Sequence, residues 1–387
     1  MDDRLSMLPD EIVSQILSLM PMKFAVQTSI LSKRWRRAWT LVTNLEFDDI
    51  HDYQNLSKVV DQVMELYASS PIHVFRVRIV SSLVRESCVS DWIDQAVKLN
   101  VRELDIDVFQ LTLPLSMFTC NTLTKLRLNR GIHDKGVWEC PSLVYLPSLK
   151  SLDISVYTNP FVNAFKLIHG CPMLESLSLE VNVHEKDEED YIFDIPTLKR
   201  LKVTLRDSAS VINKVVLRLP NLEYLLIGGT LCSNFVMEDV SSLVEACVSF
   251  SNVRLDRSHL WVELLNGLSG VKSLSVQKIP YDLRLPIFPN MKHLELKKFW
   301  HSEVVIPFLE SCPELKHLYS EETMPYQKYA DSESIGGTQT LQPPKDPKIR
   351  AGPKQFVTIN SIQKRNNATN TNVKFGKKTR SSGAKGN

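Results

Sequence analysis

The sequence predicts an α/β fold in three parts: an N-terminal three-helix unit, a curved solenoid of repeats and a disordered C-terminal tail. Three observations lead to this prediction. The first forty-odd residues place apolar side chains at helical spacing, most of the remaining chain repeats one short apolar pattern, and the last part is poor in apolar residues. A chain of 387 residues is long enough to hold all three parts.

The composition is that of a globular protein, with 43% hydrophobic and 23% charged residues. Seven cysteines, an odd number without a close Cys-x-x-Cys pair, indicate reduced thiols and a reducing compartment. The N-terminus shows no secretory signal, and no apolar run approaches the roughly 20 residues that a membrane-spanning helix needs. We expect a protein of the nucleus or the cytoplasm, or both, without a membrane partner.

The N-terminal unit begins with a helix that carries two adjacent apolar stripes. The first stripe consists of Leu8, Ile12, Ile16 and Leu19, and the second of Val13, Leu17 and Met20. Pro9 suits the first turn of this helix and Pro21 ends it. Two stripes on one helix allow one to face the unit's own core and the other a partner protein. The alternative is that both stripes pack on the repeats.

Two further helices complete the predicted N-terminal unit. Apolar residues at positions 25–30 fit a second short helix. Ser32 can cap a third helix, which carries Trp35 and Trp39.

The central part is built from the pattern apolar-x-x-apolar-x-apolar. Its copies begin at Val101, Leu123, Leu149, Leu174, Leu198, Leu222, Leu243, Val271 and Met291, with a frayed copy at Leu315 and a candidate opening copy at Val74. From residue 101 to residue 315 the copies are about 24 residues apart on average, within the roughly 20–29 residues of leucine-rich repeats. We therefore predict leucine-rich repeats.

Each repeat is expected to contribute one strand and, in several cases, one helix. The last two apolar positions are two residues apart, as on one face of a strand. Helical apolar spacing precedes some copies, for example from Phe161 to Ile168, and a proline such as Pro172 resets the chain before the next strand. One repeat buries too little apolar surface to fold alone, so the repeats must stack.

The C-terminal residues 326–387 are predicted to be a basic, disordered tail. Residues 330–387 carry eleven Lys and Arg against three Asp and Glu, and few apolar residues. Because the whole chain has a formal net charge of only +2, the part before this tail is acidic. An acidic body does not favour direct nucleic-acid binding.

Specific motifs resemble a known family. Residues 8–12 (LPDEI), 16–18 (ILS) and 31–36 (LSKRWR) look like a plant F-box. The repeat junctions at 146–152 (LPSLKSL), 170–177 (GCPMLESL) and 219–225 (LPNLEYL) resemble the plant F-box/LRR-repeat family, whose members often end in an FBD segment. The resemblance covers residues 3 to 320 and suggests an F-box over 1–48, repeats over 49–325 and the tail beyond.

The family resemblance implies a non-catalytic substrate receptor of an SCF-type ubiquitin ligase. The F-box would dock on a SKP-type adaptor held by a cullin scaffold, and the repeats would present a protein substrate for ubiquitination. By position in the motif, the adaptor-binding residues are Leu8, Pro9, Ile12, Ile16, Leu17, Pro21, Val26, Leu31 and Trp35. The alternative is a repeat scaffold that does not direct degradation, or a truncated, inactive receptor.

The sequence departs from the family pattern at three places. Phe24 and Gln27 stand where related boxes usually carry an acidic residue and an arginine. After Leu318 and Tyr319 an FBD-like strand and helix pattern is not evident in the sequence.

The substrate is expected on the concave wall, where the side chains between buried strand residues point outward. The candidate substrate-facing residues are Lys125, Arg127, Lys202, Tyr224, Leu226, Lys272, Lys292, Glu295, Lys316 and Tyr319. Tyr224 and Leu226 are the nearest approach to an aromatic and aliphatic anchor. We predict no catalytic centre, no metal site and no cofactor: the sequence has no nucleotide-binding or hydrolase motif, and the cysteines before prolines suit buried apolar positions.

Overall fold

The structure is a computed structural model that describes the chain from residue 7 to residue 320 with gaps, and a short segment beyond. The described residues are 7–20, 22–48, 56–67, 71–79, 84–108, 112–130, 140–156, 161–182, 190–206, 212–252, 257–280, 283–297, 302–320 and 355–358. The chain divides into two compact units, residues 1–242 and 243–387. No helix among these residues is long and apolar enough to cross a membrane.

The first unit begins with short helices. Asp10–Ser18 (α1) and Met22–Gln27 (α2) are α-helical, and Thr28–Ile30 and Ala38–Leu41 are 3-10 helices. The predicted third helix is therefore largely replaced by turns at residues 33–37. Lys33 and Arg37 would be one turn apart in an α-helix, and like charges at this spacing are destabilising.

Among the described residues of the first unit, eleven strands and three further α-helices follow. The strands are Asn44–Asp48 (β1), Val74–Ile79 (β2), Glu103–Val108 (β3), Lys125–Arg130 (β4), Ser151–Val156 (β5), Ser176–Asn182 (β6), Tyr191–Asp194 (β7), Arg200–Arg206 (β8), Ile212–Arg218 (β9), Tyr224–Thr230 (β10) and Ser233–Asp239 (β11). The helices are Leu56–Leu66 (α3), Glu86–Lys98 (α4) and Phe161–His169 (α5), and Leu115–Thr119 is a 3-10 helix.

The main sheet of the first unit is parallel, in the order β1-β2-β3-β4-β5-β6-β8-β10. The repeat pattern sets its register, because Leu104, Leu126 and Leu152 are successive partners and all are buried. The predicted α/β repeat fold is confirmed. The sheet begins one strand before the candidate opening copy at Val74, since β1 already pairs with β2.

A second sheet in the first unit was not expected from the sequence. Strands β7, β9 and β11 pair in parallel, in the order β11-β9-β7. They occupy the connections that follow β6, β8 and β10, whereas the helix α5 occupies the connection between β5 and β6. The segments are four to seven residues long, too short to form three helical turns, and they bury alternate side chains such as Tyr191 and Phe193.

The second unit repeats the same plan. Its strands are Glu245–Asn252 (β12), Ser273–Val276 (β13), His293–Leu296 (β14), His317–Ser320 (β15) and Gln355–Thr358 (β16), and its helices are Ser258–Gly267 (α6) and Ser302–Ser311 (α7). Strands β12 to β15 pair in parallel, and β16 pairs antiparallel with β15. Residues 355–358 lie within the predicted disordered tail and form a strand, while the rest of residues 326–387 lie outside the described part.

Tyr67 connects the N-terminal helices to the first repeat. Its buried hydroxyl lies 2.9 Å from the carbonyl oxygen of Trp39 and 2.7 Å from that of Val42, and its ring packs on Trp39 with centroids 6.1 Å apart. Burial raises the pKa of this hydroxyl, so it remains a hydrogen-bond donor at neutral pH.

We expect Tyr67→Phe to lower the free energy of unfolding by about 1–2 kcal/mol, because it removes a buried hydroxyl that donates to the carbonyl oxygens of Trp39 and Val42. Urea denaturation followed by tryptophan fluorescence measures this loss. Tyr145→Phe is the control. Tyr145 is 56% exposed, so water can solvate the groups around its ring when the hydroxyl is removed. Equal stability of the two variants would contradict the assignment.

Gly229 is required where β10 passes β8. Its φ is +88°, and a Cβ at this position would lie 1.9 Å from the carbonyl oxygen of Leu205. We expect Gly229→Ala to cost at least about 2 kcal/mol, through strain and a backbone clash. In Gly270→Ala the new Cβ meets nothing within 4 Å, so that variant should unfold at nearly the wild-type urea concentration. A similar loss in both variants would refute the steric explanation.

Candidate functional site

Helix α1 separates its two apolar stripes between core and surface. The second stripe is largely buried, with Val13 at 2% exposure, Leu17 at 0% and Met20 half-buried. The first stripe faces outward, with Ile12 at 40% and Leu19 at 88%, and Ile16 between them half-buried. The alternative that both stripes pack on the repeats is therefore wrong for this chain, and an apolar surface is left open on α1.

The other predicted adaptor-binding residues fall into three groups. Pro9 and Leu31 are exposed, and Leu8 and Val26 are half-buried. Leu17 and, at 4% exposure, Trp35 lie in the core beneath this surface, so in the free chain they support it from below. Pro21 lies outside the described residues.

Arg34 fixes the start of α1 and was missed in the sequence analysis. Its guanidinium donates to the carbonyl oxygen of Leu8 and to Asp10, whose Oδ1 lies 2.7 Å from Nη2. The hydroxyl of Ser14 donates to the carbonyl oxygen of Leu41 at 3.0 Å, and this hydrogen bond joins α1 to the 3-10 helix Ala38–Leu41. An arginine within a basic run looks solvated in the sequence, and only the fold brings it to the helix start.

Exposed apolar residues concentrate at this end of the chain. Seven of the seventeen large apolar residues that are exposed in the described part lie before residue 49. They are Met7, Ile12, Leu19, Phe24, Ile30, Leu31 and Leu41. Such a concentration on a small helical unit is typical of a protein-interaction surface.

The comparisons with known proteins identify both regions. Residues 5–47 match the F-box domain, and residues 89–241 match the leucine-rich repeats described for an FBD-associated F-box protein. F-box/LRR-repeat protein At4g14103 of Arabidopsis thaliana is 31% identical over 82% of this chain and 91% of its own length. The chain belongs to the plant F-box/LRR-repeat family. F-box/LRR-repeat protein At1g06630 is 33% identical over 84% of this chain and 86% of its own length, and F-box/FBD/LRR-repeat protein At1g78750 is 30% identical over 82% and 76%, both from Arabidopsis thaliana.

The repeat sheet of this F-box/LRR protein carries the second candidate surface. On strands β1 to β5 this surface is occupied by ion pairs. The third positions of β1 to β5 form a column of alternating charge: Glu46, Arg76, Asp105, Arg127 and Asp153. Arg127 lies 3.6 Å from Asp105 and 3.4 Å from Asp153. Lys125 lies 3.7 Å from Glu103. The predicted substrate-facing residues of β4 are thus partly satisfied within the chain.

The remaining candidates of the first unit lie together on β8 and β10. Lys202 is exposed, and its register partner on β10 is the half-buried Leu226. Tyr224 is likewise half-buried and is the partner of Arg200, an exposed cation that the sequence analysis omitted. Arg200 could have been found as the residue immediately before a buried repeat leucine, Leu201.

The candidates of the second unit form a row along its strands. Lys272, Lys292 and Lys316 each directly precede a strand, and all three are exposed. Glu295 accepts a hydrogen bond from Ser275 at 3.0 Å and lies 3.3 Å from Lys297. Tyr319 is half-buried on β15.

The cysteines of the repeats suit a structural role. Burial raises the pKa of the Cys171 and Cys312 thiols to about 12, so both remain protonated at neutral pH. No three His, Cys, Asp or Glu side chains gather where they could hold a metal ion in the part of the chain that the structure describes.

The division of α1 into a core stripe and a surface stripe predicts that two leucine truncations differ strongly in their effect on stability. We expect Leu17→Ala to cost about 2–5 kcal/mol of F-box stability, because it opens a cavity in the core. Leu19→Ala removes a side chain that is 88% exposed and should change stability by less than about 0.5 kcal/mol. Hydrogen exchange at the amides of residues 10–18 measures both effects, and comparable losses would contradict the assignment of the stripes.

Proposed function

We propose that this chain is the substrate-recognition subunit of an SCF-type ubiquitin ligase. The F-box docks on a SKP-type adaptor and, through it, on a cullin scaffold, while the repeats hold a protein target. The chain itself makes and breaks no bonds. It raises the local concentration of the target near ubiquitin-charged machinery that other subunits supply, in the nucleus or the cytoplasm or both.

The observation that supports this proposal most directly is the open stripe of α1. An α-helix in a small globular unit normally turns its apolar residues inward, yet Ile12 and Leu19 face outward beside a filled core. The stripe has the i, i+4, i+7 spacing by which a helix binds a groove or another helix. Pro9, Ile16 and Leu31 would extend this contact.

The neighbouring contacts suit a preformed docking surface. Arg34 holds Leu8 and Asp10 at the start of α1, and Ser14 holds the helix to Leu41. A surface fixed in this way loses little side-chain and backbone freedom on binding, which favours affinity. Leu17 and Trp35 act from beneath, by filling the core on which α1 rests.

The expected result is that the full chain binds a purified SKP-type adaptor in isothermal titration calorimetry and that Ile12→Asp weakens this binding at least about 100-fold. A carboxylate in a desolvated apolar interface costs several kcal/mol, and about 2.8 kcal/mol corresponds to 100-fold.

Ile192→Asp is the matched control, because Ile192 and Ile12 are both 40% exposed and Ile192 lies on β7, outside the F-box. Circular dichroism confirms that each variant is folded. Absence of adaptor binding by the folded native chain would reject the ligase role and favour a repeat scaffold. Equal loss in both variants would reject the α1 surface as the docking site.

A further inference from the structure

The second unit carries a column of three lysines without an intervening acid. Lys272, Lys292 and Lys316 occupy the same position in three successive repeats, immediately before β13, β14 and β15. Backbone hydrogen bonds place them side by side: the amide of Lys292 donates to the carbonyl of Lys272 at 2.8 Å, and that of Lys316 to the carbonyl of Lys292 at 3.0 Å. All three side chains are exposed.

In the first unit, three successive residues at the same repeat position alternate in charge, which avoids repulsion between neighbouring lysines. There Lys150, Glu175 and Lys199 follow one another, joined by equivalent backbone hydrogen bonds of 2.9 Å. Glu175 lies 3.5 Å from Lys150 and 3.0 Å from Lys199. Hydrogen bonding from Lys199, with the charges of both lysines, lowers the pKa of the Glu175 carboxyl.

The second unit has no such neutralising residue in its column. Among the described residues, none of Lys272, Lys292 and Lys316 has an ion-pair partner. Glu295, three residues after Lys292 on β14, is instead paired with Lys297. Like charges on neighbouring strands are destabilising, so this arrangement works against the fold.

We propose that the lysine column binds an acidic segment of a partner protein. Neighbouring strands are about 4.8 Å apart, so three positive charges lie along a line of roughly 10 Å. That spacing suits two or three carboxylates of one short segment. His293 and His317 follow two of the lysines directly, and their rings stack with centroids 4.8 Å apart beside the charges.

A protein segment fits this column better than a nucleic acid does. The net positive charge of the chain lies in residues 330–387, and the rest of the chain is net acidic, which disfavours binding of a long polyanion. Three charges over a short line suit a few carboxylates of a protein chain. The inference takes its biological meaning from the proposed receptor role, since the acidic segment would belong to the ligase target.

Fluorescence anisotropy with the full chain tests this inference. The probe is a fluorescein-labelled twelve-residue peptide of alternating glutamate and serine, compared with the same peptide carrying glutamine in place of glutamate. We expect the glutamate peptide alone to bind, and to bind more weakly as salt rises. The key variant is Lys292→Glu, which gives the second unit the Lys-Glu-Lys order of the first.

We expect Lys292→Glu to weaken peptide binding at least about tenfold without lowering the melting temperature, because the new carboxylate pairs with Lys272 and Lys316. Lys278→Glu makes the same change of net charge at an exposed lysine of the same unit outside the column, and it should alter binding less than about twofold. Equal effects of the two substitutions, or undiminished binding by Lys292→Glu, would overturn the proposal.

Two further measurements distinguish this inference from nucleic-acid binding and from the proposed adaptor binding. A labelled twelve-nucleotide single-stranded DNA that binds more tightly than the peptide and depends on Lys292 would assign the column to nucleic acid and refute the acidic-segment proposal. Ile12→Asp should lose the adaptor and keep the peptide, whereas Lys292→Glu should do the reverse. Failure of peptide binding with adaptor binding intact would therefore reject the lysine column alone.

Discussion

The in-register parallel pairing of the repeat strands is the constraint on which the rest of each unit depends. A one-residue slip would turn the buried leucines of a strand toward solvent, so the register is set by the apolar pattern. Leu104, Leu126 and Leu152 show the result, each opposite the next and each buried. The outward residues are then aligned as well, and the surface becomes a set of columns whose members are about 24 residues apart in sequence.

These columns explain how charge is arranged on the repeats. In the first unit acids and bases alternate from Glu46 to Asp153, so each charge has an opposite charge beside it in the column. Ion pairs of exposed side chains contribute little stability individually, but they neutralise the surface that they occupy. A charged partner is therefore expected to bind where a column carries charges of one sign, because those charges are not neutralised within the chain.

Much of the fold follows from the sequence because the apolar spacing is strong and local. The strands at Leu126 and Leu152 and the helix containing Ile12 could be predicted from periodicity alone. The second sheet could not, because segments as short as Tyr191–Asp194 give too few apolar positions to distinguish a strand from an irregular connection. Each of the three lysines could be predicted as a surface residue from the sequence. Their alignment in one column could not, because it depends on the strand register across repeats of unequal length. The contact of Arg34 with the start of α1 joins residues more than twenty positions apart, which no local pattern reports.

Strand β16 gives the C-terminal segment a role beyond its composition. The last parallel strand of a repeat stack leaves a row of backbone donors and acceptors open, and such an edge can pair with a strand of another molecule. Here Gln355–Thr358 runs antiparallel along His317–Ser320 and occupies that row. Because β16 belongs to the same chain, its effective concentration at this edge is higher than that of a strand from another molecule, and it occupies the hydrogen bonds that such a strand would need. Pairing within the chain therefore covers a strand edge that could otherwise pair with another molecule.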